Sequence, residues 1–406
     1  MSMNGKGVII GCGRIGAPML AWMHKNCDDD FAMVGLETNS ELVDQLRNGA
    51  TGWYEEGMDE YYRENSIPLI NPNETPLSDT FWDNAKFAVV CLGSPVVDGE
   101  PDVGPIGEVV ESIPDNVLIV LRSTVPPGFT ARLTLETGKH IIFAPERILT
   151  GNALRELDHL PQSIGVVNDI PLSHIEGYNR FVNFFDKSSV YNSLEVELSK
   201  IGNNIIRYVE FTIGTQFAQA CEGYGADWRK VREAMTQGYD RGRMCYPAFS
   251  SSYCLNKDFQ MLDPMVQPIL SVVSAEYNQR GLLIELLSRA LVANKGGKNI
   301  GLLGWTYRPE SDDDRDTITE YWLDLLNQDM FKAAQIYLHD PFKTPNRKDV
   351  KVLSSAENVI NSSDLIIVCT AHSEYEKVNK ALLSGKTVID LSGVLNPATS
   401  FVEVWE

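Results

Sequence analysis

Short apolar runs alternate with helical stretches in both halves of the chain, a rhythm typical of parallel strands connected by helices. In the first half these runs are KGVII, FAMVGLE, FAVVCLG, NVLIVLRS and HIIFA. After Lys298 the rhythm returns with the runs NIGLLGW, AAQIYLHDP, DLIIVCTAH and KTVIDLSG. The pattern predicts an α/β protein with a doubly wound sheet in each half.

The middle of the chain carries its longest helical pattern, which begins at Glu195 and continues to about Gln237. Apolar residues recur along it at spacings of three to five, which predicts one apolar helix face. This face contains Val196, Ile201, Ile205, Val209, Ile213 and Phe217. A second, polar face contains Glu197, Lys200, Asn204 and Tyr208.

A turn-rich stretch, YDRGRMCYPAFSSSYCLNKDF, follows this helix and predicts a long loop that carries Cys254, Lys257 and Asp258. The stretch from Met265 to Ala293 is again helical in pattern. These features divide the chain into an N-terminal domain (1–190), a central helical segment (191–294) and a C-terminal domain (295–406).

A glycine motif, Gly11-Cys12-Gly13-Arg14-Ile15-Gly16, stands between the first predicted strand and the first predicted helix. In this position glycines allow a tight turn and place a pyrophosphate at the helix N-terminus. The next strand ends in Glu37, about 20 residues beyond the motif, where an acid binds the ribose 2′-hydroxyl. No arginine follows Glu37, so the motif favours NAD over NADP. The alternative is a glycine turn with an unrelated surface glutamate.

Two further strand ends are polar turns, Gly93-Ser94-Pro95 and Ser123-Thr124. Ligands of open α/β sheets bind at such carboxyl ends of strands, so we expect these turns beside the cofactor. The C-terminal half lacks the glycine motif, which predicts a Rossmann-like domain without a second dinucleotide.

Composition narrows the possible partners. The 406 residues carry a net charge of −20, which argues against nucleic acid and anionic membrane as partners. The seven cysteines are scattered without metal-type pairs, so we expect a reduced setting and no metal site. The chain shows no signal-peptide layout and no apolar run of ~18 residues, which predicts a soluble, cytoplasmic protein.

Taken in order, these motifs resemble the UDP-glucose/GDP-mannose dehydrogenase family over nearly the whole chain. The matching pieces are GCGRIG, the acid of GLETN, STVPPG, APER, ELSK-x3-N, CEGYGAD, CLNKD, YRPESDDDRD and the strand ending in HDP. The resemblance implies that two Rossmann-type domains, joined by a helical dimerisation segment, bind NAD and the nucleotide of a nucleotide-sugar. It also implies a homodimer. The turn APERILTGNALREL–LPQ is most similar to the branch that acts on UDP-N-acetylhexosamines.

The resemblance implies oxidation of a hexose C6 alcohol to a uronic acid with two NAD. Cys254 would form a thiohemiacetal and then a thioester, which water hydrolyses. Lys200 and Asn204 would stabilise the developing oxyanion. The alternatives are a buried, inert cysteine and a surface ion pair between Lys200 and Glu197.

Three further roles follow from the same resemblance. Glu146 would act as general base on water that Thr124 holds, unless it only caps a turn. Asp258 would hold the water or orient the site. Candidate contacts to the substrate, each of which has surface charge as its alternative, are Arg147, Lys257, Arg241, Arg308 and Arg315.

The sequence departs from the family around the cysteine, where YPAFSSSYC replaces a glycine-rich loop, and at Ser392, where an arginine is usual. These changes put the identity of the substrate in question more than the chemistry. Two other functions remain open at this stage. One is a two-electron hydroxyacid dehydrogenase of the 6-phosphogluconate type, which needs neither Cys254 nor a second α/β half. The other is a nucleotide-sugar binder without turnover.

Overall fold

The computed structural model describes residues 5–167, 172–239, 245–247, 253–262, 273–293, 299–327, 334–395 and 401–405. The chain separates into two compact units, the first formed by Met1–Asn203 with Lys257–Asp263 and the second by Asn204–Asn256 with Pro264–Glu406. The predicted contact residue Arg241 and most of the YPAFSSSYC segment lie outside the described residues. The division into three domains stays a prediction.

The first unit is organised around a mainly parallel sheet. The strands in its described part are β1 (Gly5–Ile10), β2 (Phe31–Leu36), β3 (Leu69–Ile70), β4 (Ala85–Val90), β5 (Val96–Val97), β6 (Glu100–Pro101), β7 (Leu118–Leu121), β8 (Ile141–Phe143), β9 (Gln162–Val166) and β10 (Ser188–Asn192). The main sheet has the order β10-β9-β8-β7-β4-β1-β2-β3, and β5 pairs only with β6. Only β8 and β9 of the main sheet are antiparallel. The chain moves outward from β1 in both directions, so a topological switch point lies between β1 and β4.

Helices cover both faces of this sheet, which explains why its central strands are apolar throughout. They are α1 (Gly16–Asn26), α2 (Ser40–Arg47), α3 (Met58–Glu64), α4 (Gly104–Ser112), α5 (Phe129–Thr137), α6 (Ala153–His159) and α7 (Glu176–Val182).

The long predicted helix is two helices, α8 (Ser193–Gly223) and α9 (Trp228–Thr236). Gly225 adopts a left-handed conformation between them, at φ 71°. Asp227 then caps α9 by accepting a hydrogen bond from the backbone N–H of Arg229 at 3.0 Å. The prediction of one uninterrupted helix was therefore wrong, because its pattern extended through a glycine turn and a new N-cap.

The predicted apolar face of α8 is buried only in the first part of the helix. Val196, Ile201 and Ile205 are buried, but Ile213 and Phe217 are exposed. A step of four residues advances about 40° around a helix of about 3.6 residues per turn, so the apolar series drifts from one face to another. The buried face is centred instead on the predicted polar stripe, where Glu197, Lys200 and Tyr208 are buried.

Two more helices follow, α10 (Tyr253–Gln260) and α11 (Val273–Ala293). Cys254, Lys257 and Asp258 lie on α10, so the prediction that all three belong to a loop was wrong. The sequence YCLNKDFQ has no glycine or proline, and Leu255 and Phe259, four residues apart, are buried. One helix face can therefore pack against its surroundings.

The second unit contains a smaller parallel sheet. Its described elements are β11 (Asn299–Leu303), α12 (Ile318–Leu326), β12 (Gln335–His339), β13 (Lys351–Val352), α13 (Ala356–Ser362), β14 (Leu365–Val368), β15 (Thr387–Ile389) and β16 (Val402–Val404). The strand order is β13-β12-β11-β14-β15-β16, with only β16 antiparallel to its neighbour. Its switch point lies between β11 and β14. No helix in the described part of the chain is long and apolar enough to cross a bilayer.

Candidate functional site

The glycine loop between β1 and α1 forms a tight turn. Gly11 has a φ of 85° and donates its N–H to the carbonyl oxygen of Leu36 at 2.8 Å. A Cβ on Gly16 would lie 1.8 Å from the carbonyl oxygen of Gly11, so only glycine fits at the start of α1. A Cβ on Gly13 would meet nothing within 4 Å. The loop is closed towards the helix and open above Gly13, which suits a pyrophosphate at the helix N-terminus.

Glu37 lies beside this loop, directly after β2. Its carboxylate accepts hydrogen bonds from the backbone N–H groups of Cys12, at 2.8 Å, and Asn39, at 2.9 Å. The side chain is half-buried. An acid held in this orientation, with part of its carboxylate accessible, fits the hydroxyls of a ribose.

The remaining predicted cofactor residues gather at the same edge of the sheet. The strand ends Ile10 of β1, Val90 of β4 and Leu121 of β7 are in register, so the turns that follow them are neighbours. Their predicted residues are Gly93, Ser94, Pro95, Ser123 and Thr124. The Ser123 hydroxyl donates to the carbonyl oxygen of Val90 at 3.3 Å, which joins two of these turns.

Arg14 and Ile15 complete the glycine loop. The Arg14 guanidinium lies 5.7 Å from the centre of a Trp53 ring. Ile15 occupies the N-cap of α1 and makes no side-chain cap bond. In the first turn of α1, Ala17 already donates its N–H to the carbonyl oxygen of Gly13 at 2.9 Å and Pro18 has no N–H, so an anion here would be bound by amides at the start of the turn, around Gly16.

The strongest polar contact between predicted catalytic residues joins Glu146 and Lys200. Lys200 Nζ lies 2.7 Å from Glu146 Oε1 and donates to the Glu146 carbonyl oxygen at 3.0 Å. Both side chains are largely buried. Burial by itself would raise the pKa of Glu146, but Lys200 and then Arg122 lower it below its usual value. The pair therefore holds an ionised carboxylate at the edge where the cofactor turns meet, after β8.

Glu197, one turn before Lys200 on α8, has a different partner. Its fully buried carboxylate accepts from the backbone N–H of Gly128 at 2.6 Å and from the N–H and hydroxyl of Thr130 at 2.9 and 2.6 Å. It fixes the N-terminus of α5 to α8. A surface pair of Lys200 with Glu197, the alternative raised by the sequence, is wrong.

Two polar residues of α10, Lys257 and Asp258, are buried. Lys257 Nζ lies 2.6 Å from Asp258 Oδ1, with both side chains buried. Cys254 is half-buried one turn earlier and, like the other six cysteines, is not part of a disulfide. Asn204 is half-buried on α8, one turn after Lys200.

In the second unit, a cavity of about 500 Å³ opens at the carboxyl ends of β11, β14 and β15. Its lining includes Tyr246, Tyr307, Ala371, Glu376 and Ser392. This is the switch point of the second sheet, where open α/β sheets bind ligands.

The loop after β11 carries two predicted substrate contacts, Arg308 and Arg315, which differ in their hydrogen bonding. The Nε and Nη2 atoms of Arg308 are buried and have no hydrogen-bond partner among the described residues. Arg315 instead pairs with Asp313 at 2.7 Å. In the first unit, Arg147 is exposed and donates to the Pro161 carbonyl oxygen.

Sequence reasoning missed the buried network around Asp340, which follows β12. Asp340 Oδ2 accepts from the backbone N–H groups of Trp305 and Thr306 at 2.6 and 3.1 Å, and pairs with His372 Nε2 at 3.1 Å. The Glu310 N–H donates to His372 Nδ1 at 3.2 Å, so Nε2 carries the proton that His372 donates to Asp340. The HDP motif was the only signal of this network in the sequence.

The described residues contain no cluster of three or more histidine, cysteine or acidic side chains suited to a metal ion.

Two family models match the chain. The NAD binding domain of the UDP-glucose/GDP-mannose dehydrogenase family matches residues 6–178, and the UDP binding domain of the same family matches residues 301–397. The chain belongs to this family.

Its relatives in this nucleotide-sugar dehydrogenase family are distant but cover almost the whole chain. The UDP-N-acetyl-D-mannosamine dehydrogenase of Pyrococcus horikoshii is 21% identical, over 94% of this chain and 95% of that protein. The UDP-glucose 6-dehydrogenase of Rickettsia typhi is 24% identical, over 89% of each. The structure of a UDP-glucose dehydrogenase from Pyrobaculum islandicum shares the fold, with a TM-score of 0.81 at 20% identity, covering 100% of this chain and 99% of that one.

These comparisons confirm three predictions. The chain is a member of the family that its motifs resemble, its fold is the two-domain α/β fold of that family, and its cofactor is NAD. The roles of the individual site residues stay predictions.

Proposed function

We propose that this chain oxidises the C6 alcohol of a nucleotide-linked hexose or N-acetylhexosamine to the carboxylate, through a thioester on Cys254. The buried pair of Glu146 and Lys200 carries the proposal. A carboxylate that stays ionised beside an ammonium group supplies both a base for water and a cation for an oxyanion. A simple alcohol-to-ketone oxidation needs no base that activates water.

Cys254 would supply the covalent step. The aldehyde formed by the first oxidation must become tetrahedral before it can be oxidised again, and addition of the Cys254 thiolate gives a thiohemiacetal. Its oxidation leaves a thioester, and water releases the carboxylate and restores the thiol. Bound NAD would supply the hydride acceptor for each oxidation. One alcohol, one water and two NAD thus give one carboxylate, two NADH and three protons.

Glu146 and Lys200 would act together in hydrolysis. Glu146 takes a proton from water that Thr124 holds, and the water attacks the thioester. Once Glu146 is neutral, the charge of Lys200 is free to stabilise the oxyanion, with a hydrogen bond from Asn204. Asp258, bound to Lys257 one turn after Cys254, would orient α10.

The substrate we propose is a UDP-sugar, with N-acetylhexosamines favoured over hexoses. The matched C-terminal model is a UDP binding domain, and six of the similar proteins are named UDP-N-acetyl-D-mannosamine dehydrogenase. We assign the nucleotide to the cavity in the second unit. Arg308 would bind its phosphates through Nε and Nη2, since buried donors without partners favour an anionic ligand.

NADH production tests the reaction. The purified protein is incubated with UDP-, GDP- and TDP-linked hexoses and N-acetylhexosamines, and NADH and uronic acid are quantified. We expect two NADH for each sugar consumed, with the highest kcat/KM for a UDP-N-acetylhexosamine. One NADH per sugar would support a two-electron dehydrogenase. Binding of a UDP-sugar without any NADH would support a binding protein.

The cysteine has a matched control. Cys254→Ala removes the thiol, so we expect uronate formation to fall below detection while NAD still binds, as measured by fluorescence titration. Cys245→Ala changes a neighbouring half-buried free cysteine that the mechanism does not use, and should retain activity. Uronate formation at an undiminished rate in Cys254→Ala would rule out the thioester.

We further propose a homodimer that forms through α8. This helix exposes a stripe of large apolar side chains, the kind of patch that marks an interface. The stripe contains Leu194, Leu198, Ile206, Ile213 and Phe217. In light scattering, Ile206→Glu/Ile213→Glu should convert the dimer to a monomer, whereas Leu135→Glu, at an 80% exposed position on α5, should not. A monomeric wild-type protein would contradict the proposal.

A further inference from the structure

A row of three hydrogen bonds from side chains holds the backbone that presents Glu146. The carbonyl oxygen of Ala144 accepts from Arg122 Nη1 at 3.1 Å, and that of Pro145 accepts from Gln162 Nε2 at 3.1 Å. The carbonyl of Glu146 itself accepts from Lys200 at 3.0 Å. The chain leaves β8 at this point, so neighbouring strands do not satisfy these carbonyls. Three side chains do so instead.

Arg122 also orients Gln162. Its Nη1 donates to Gln162 Oε1 at 3.0 Å, which directs the other end of the amide, Nε2, to Pro145. Both residues are buried, with Arg122 only 3% exposed. Nε2 also donates to the Ser163 carbonyl oxygen at 2.8 Å. A buried amide with both ends bonded has one orientation, and Arg122 fixes the oxygen end of it.

The charge of Arg122 is not neutralised by a direct ion pair among the described residues, and its Nε has no hydrogen-bond partner there. Burial lowers the pKa of this guanidinium below its usual value, and nearby Cys91 and Glu146 offset only part of that effect. Reciprocally, Arg122 adds to Lys200 in lowering the pKa of Glu146. A buried cation without a carboxylate partner acts on its surroundings more strongly than an exposed one.

We propose that Arg122 and Gln162 are positioning residues for Glu146: together they hold its backbone, and Arg122 in addition stabilises its carboxylate through charge. Both side chains are buried and bonded to backbone carbonyls, so we assign them no direct contact with the substrate. The inference rests on the proposed role of Glu146 as base. It predicts that Arg122 controls both the rate of thioester hydrolysis and its dependence on pH, whereas Gln162 controls only the rate.

Four variants separate these effects: Arg122→Gln, Arg122→Lys, Gln162→Met and the surface control Arg132→Gln, which changes an exposed arginine of α5. In each, kcat is measured from pH 3 to 9, a range that extends below the usual pKa of a glutamate, and is corrected for the fraction of folded enzyme. A base must be ionised, so kcat falls as pH falls through the pKa of Glu146. Removing the charge of Arg122 raises that pKa and moves the acidic limb to higher pH.

We expect Arg122→Gln to lower kcat by about 10- to 100-fold, since small misplacements of a catalytic group have effects of this size, and to shift the acidic limb upwards. Arg122→Lys should keep the limb near the wild-type position. Gln162→Met should lower kcat by about 10-fold without moving the limb. In the slow variants the acyl-enzyme should accumulate, visible as a mass increase on Cys254.

A purely structural role would lower the yield of folded protein without moving the acidic limb of Arg122→Gln, and that result would overturn the charge effect. An unchanged kcat in Gln162→Met would overturn the positioning, even if Arg122→Gln did not fold. Glu146→Gln serves as the reference. Full activity in that variant would refute the proposed function of Glu146, a result distinct from failure of the Arg122 and Gln162 variants.

Discussion

The two sheets place the same backbone feature at the end of their first strand. Gly11 follows β1, with a φ of 85°, and Gly304 follows β11, with a φ of 99°. Each donates its N–H across to the last residue of the next strand in sequence, Leu36 in one sheet and His339 in the other, at 2.8 Å in both. An acidic residue follows in each case, Glu37 or Asp340, and accepts the N–H of the residue after the glycine.

The two acids differ in what remains for a ligand. Glu37 is half-buried and accepts two backbone N–H groups. Asp340 is buried and also accepts from the backbone N–H groups of Phe342 and Lys343, at 2.8 and 2.9 Å, and from His372. In the first unit α1 begins at Gly16, directly after the loop, but in the second unit α12 begins only at Ile318. The same backbone geometry thus suits a dinucleotide in one sheet and anchors a loop in the other.

The largest effect that we expect concerns Asp340, which anchors the loop after β11. Asp340→Asn removes the charge and one of the two acceptor oxygens that bind four backbone N–H groups and His372, and should destabilise the second unit by about 3 kcal/mol, as the loss of a buried charged partner does. Glu37→Gln, its counterpart in the first unit, should change stability by less than about 0.5 kcal/mol. Hydrogen exchange of peptides from β11 and β1 measures each unit separately. Equal effects would break the comparison.

The glycine loop comes next. A Cβ on Gly16 meets the Gly11 carbonyl, so Gly16→Ala must move the loop and should weaken NAD binding about 100-fold, or ~2.7 kcal/mol. Gly13→Ala has no steric conflict in the free chain. Any loss of NAD affinity in Gly13→Ala would therefore come from contact between the added methyl group and the bound NAD. Calorimetric titration gives both affinities, and wild-type affinity in Gly16→Ala would contradict the assignment of this loop to the cofactor.

Glu37 should have a smaller effect on NAD. Glu37→Ala removes the acid assigned to the ribose hydroxyls, and we expect about 10-fold weaker binding, or ~1.4 kcal/mol, with a reduced preference over NADP. The ratio of kcat/KM for the two cofactors measures this preference. An unchanged ratio would show that Glu37 does not contact the ribose.

The smallest expected effect is a difference in acid sensitivity. Burial by itself would raise the pKa of Asp340, but the bond from His372 and those from the loop amides lower it below its usual value. Because the folded pKa is the lower one, Asp340 stabilises the second unit above about pH 4. This contribution is lost as the pH falls through the folded pKa. Hydrogen exchange of β11 between pH 6 and 3 should show this loss in the wild type and less of it in Asp340→Asn.

Much of the first unit was predictable because its signals are local. Gly11 needs a positive φ, Gly16 permits a close approach of backbone, and Glu37 stands at a set distance from both. Each requirement concerns a short stretch of backbone, so all three residues could be located from the sequence. The apolar strands were equally clear, since strands buried on both faces show it in every residue. The family and its NAD cofactor follow from these motifs and their order.

The tertiary structure alone decided which side chains meet. Glu146 and Lys200 were predicted with separate roles, and only the packing of α8 against the end of β8 made them a pair. Arg122 and Gln162 carry no motif, because their importance arises from a backbone far away in the sequence. On α8 the buried face follows the surroundings of Lys200 and not the apolar series, since an apolar repeat that drifts around a helix cannot define one face. Long-range partners depend on how elements pack, and no short stretch of sequence contains that information.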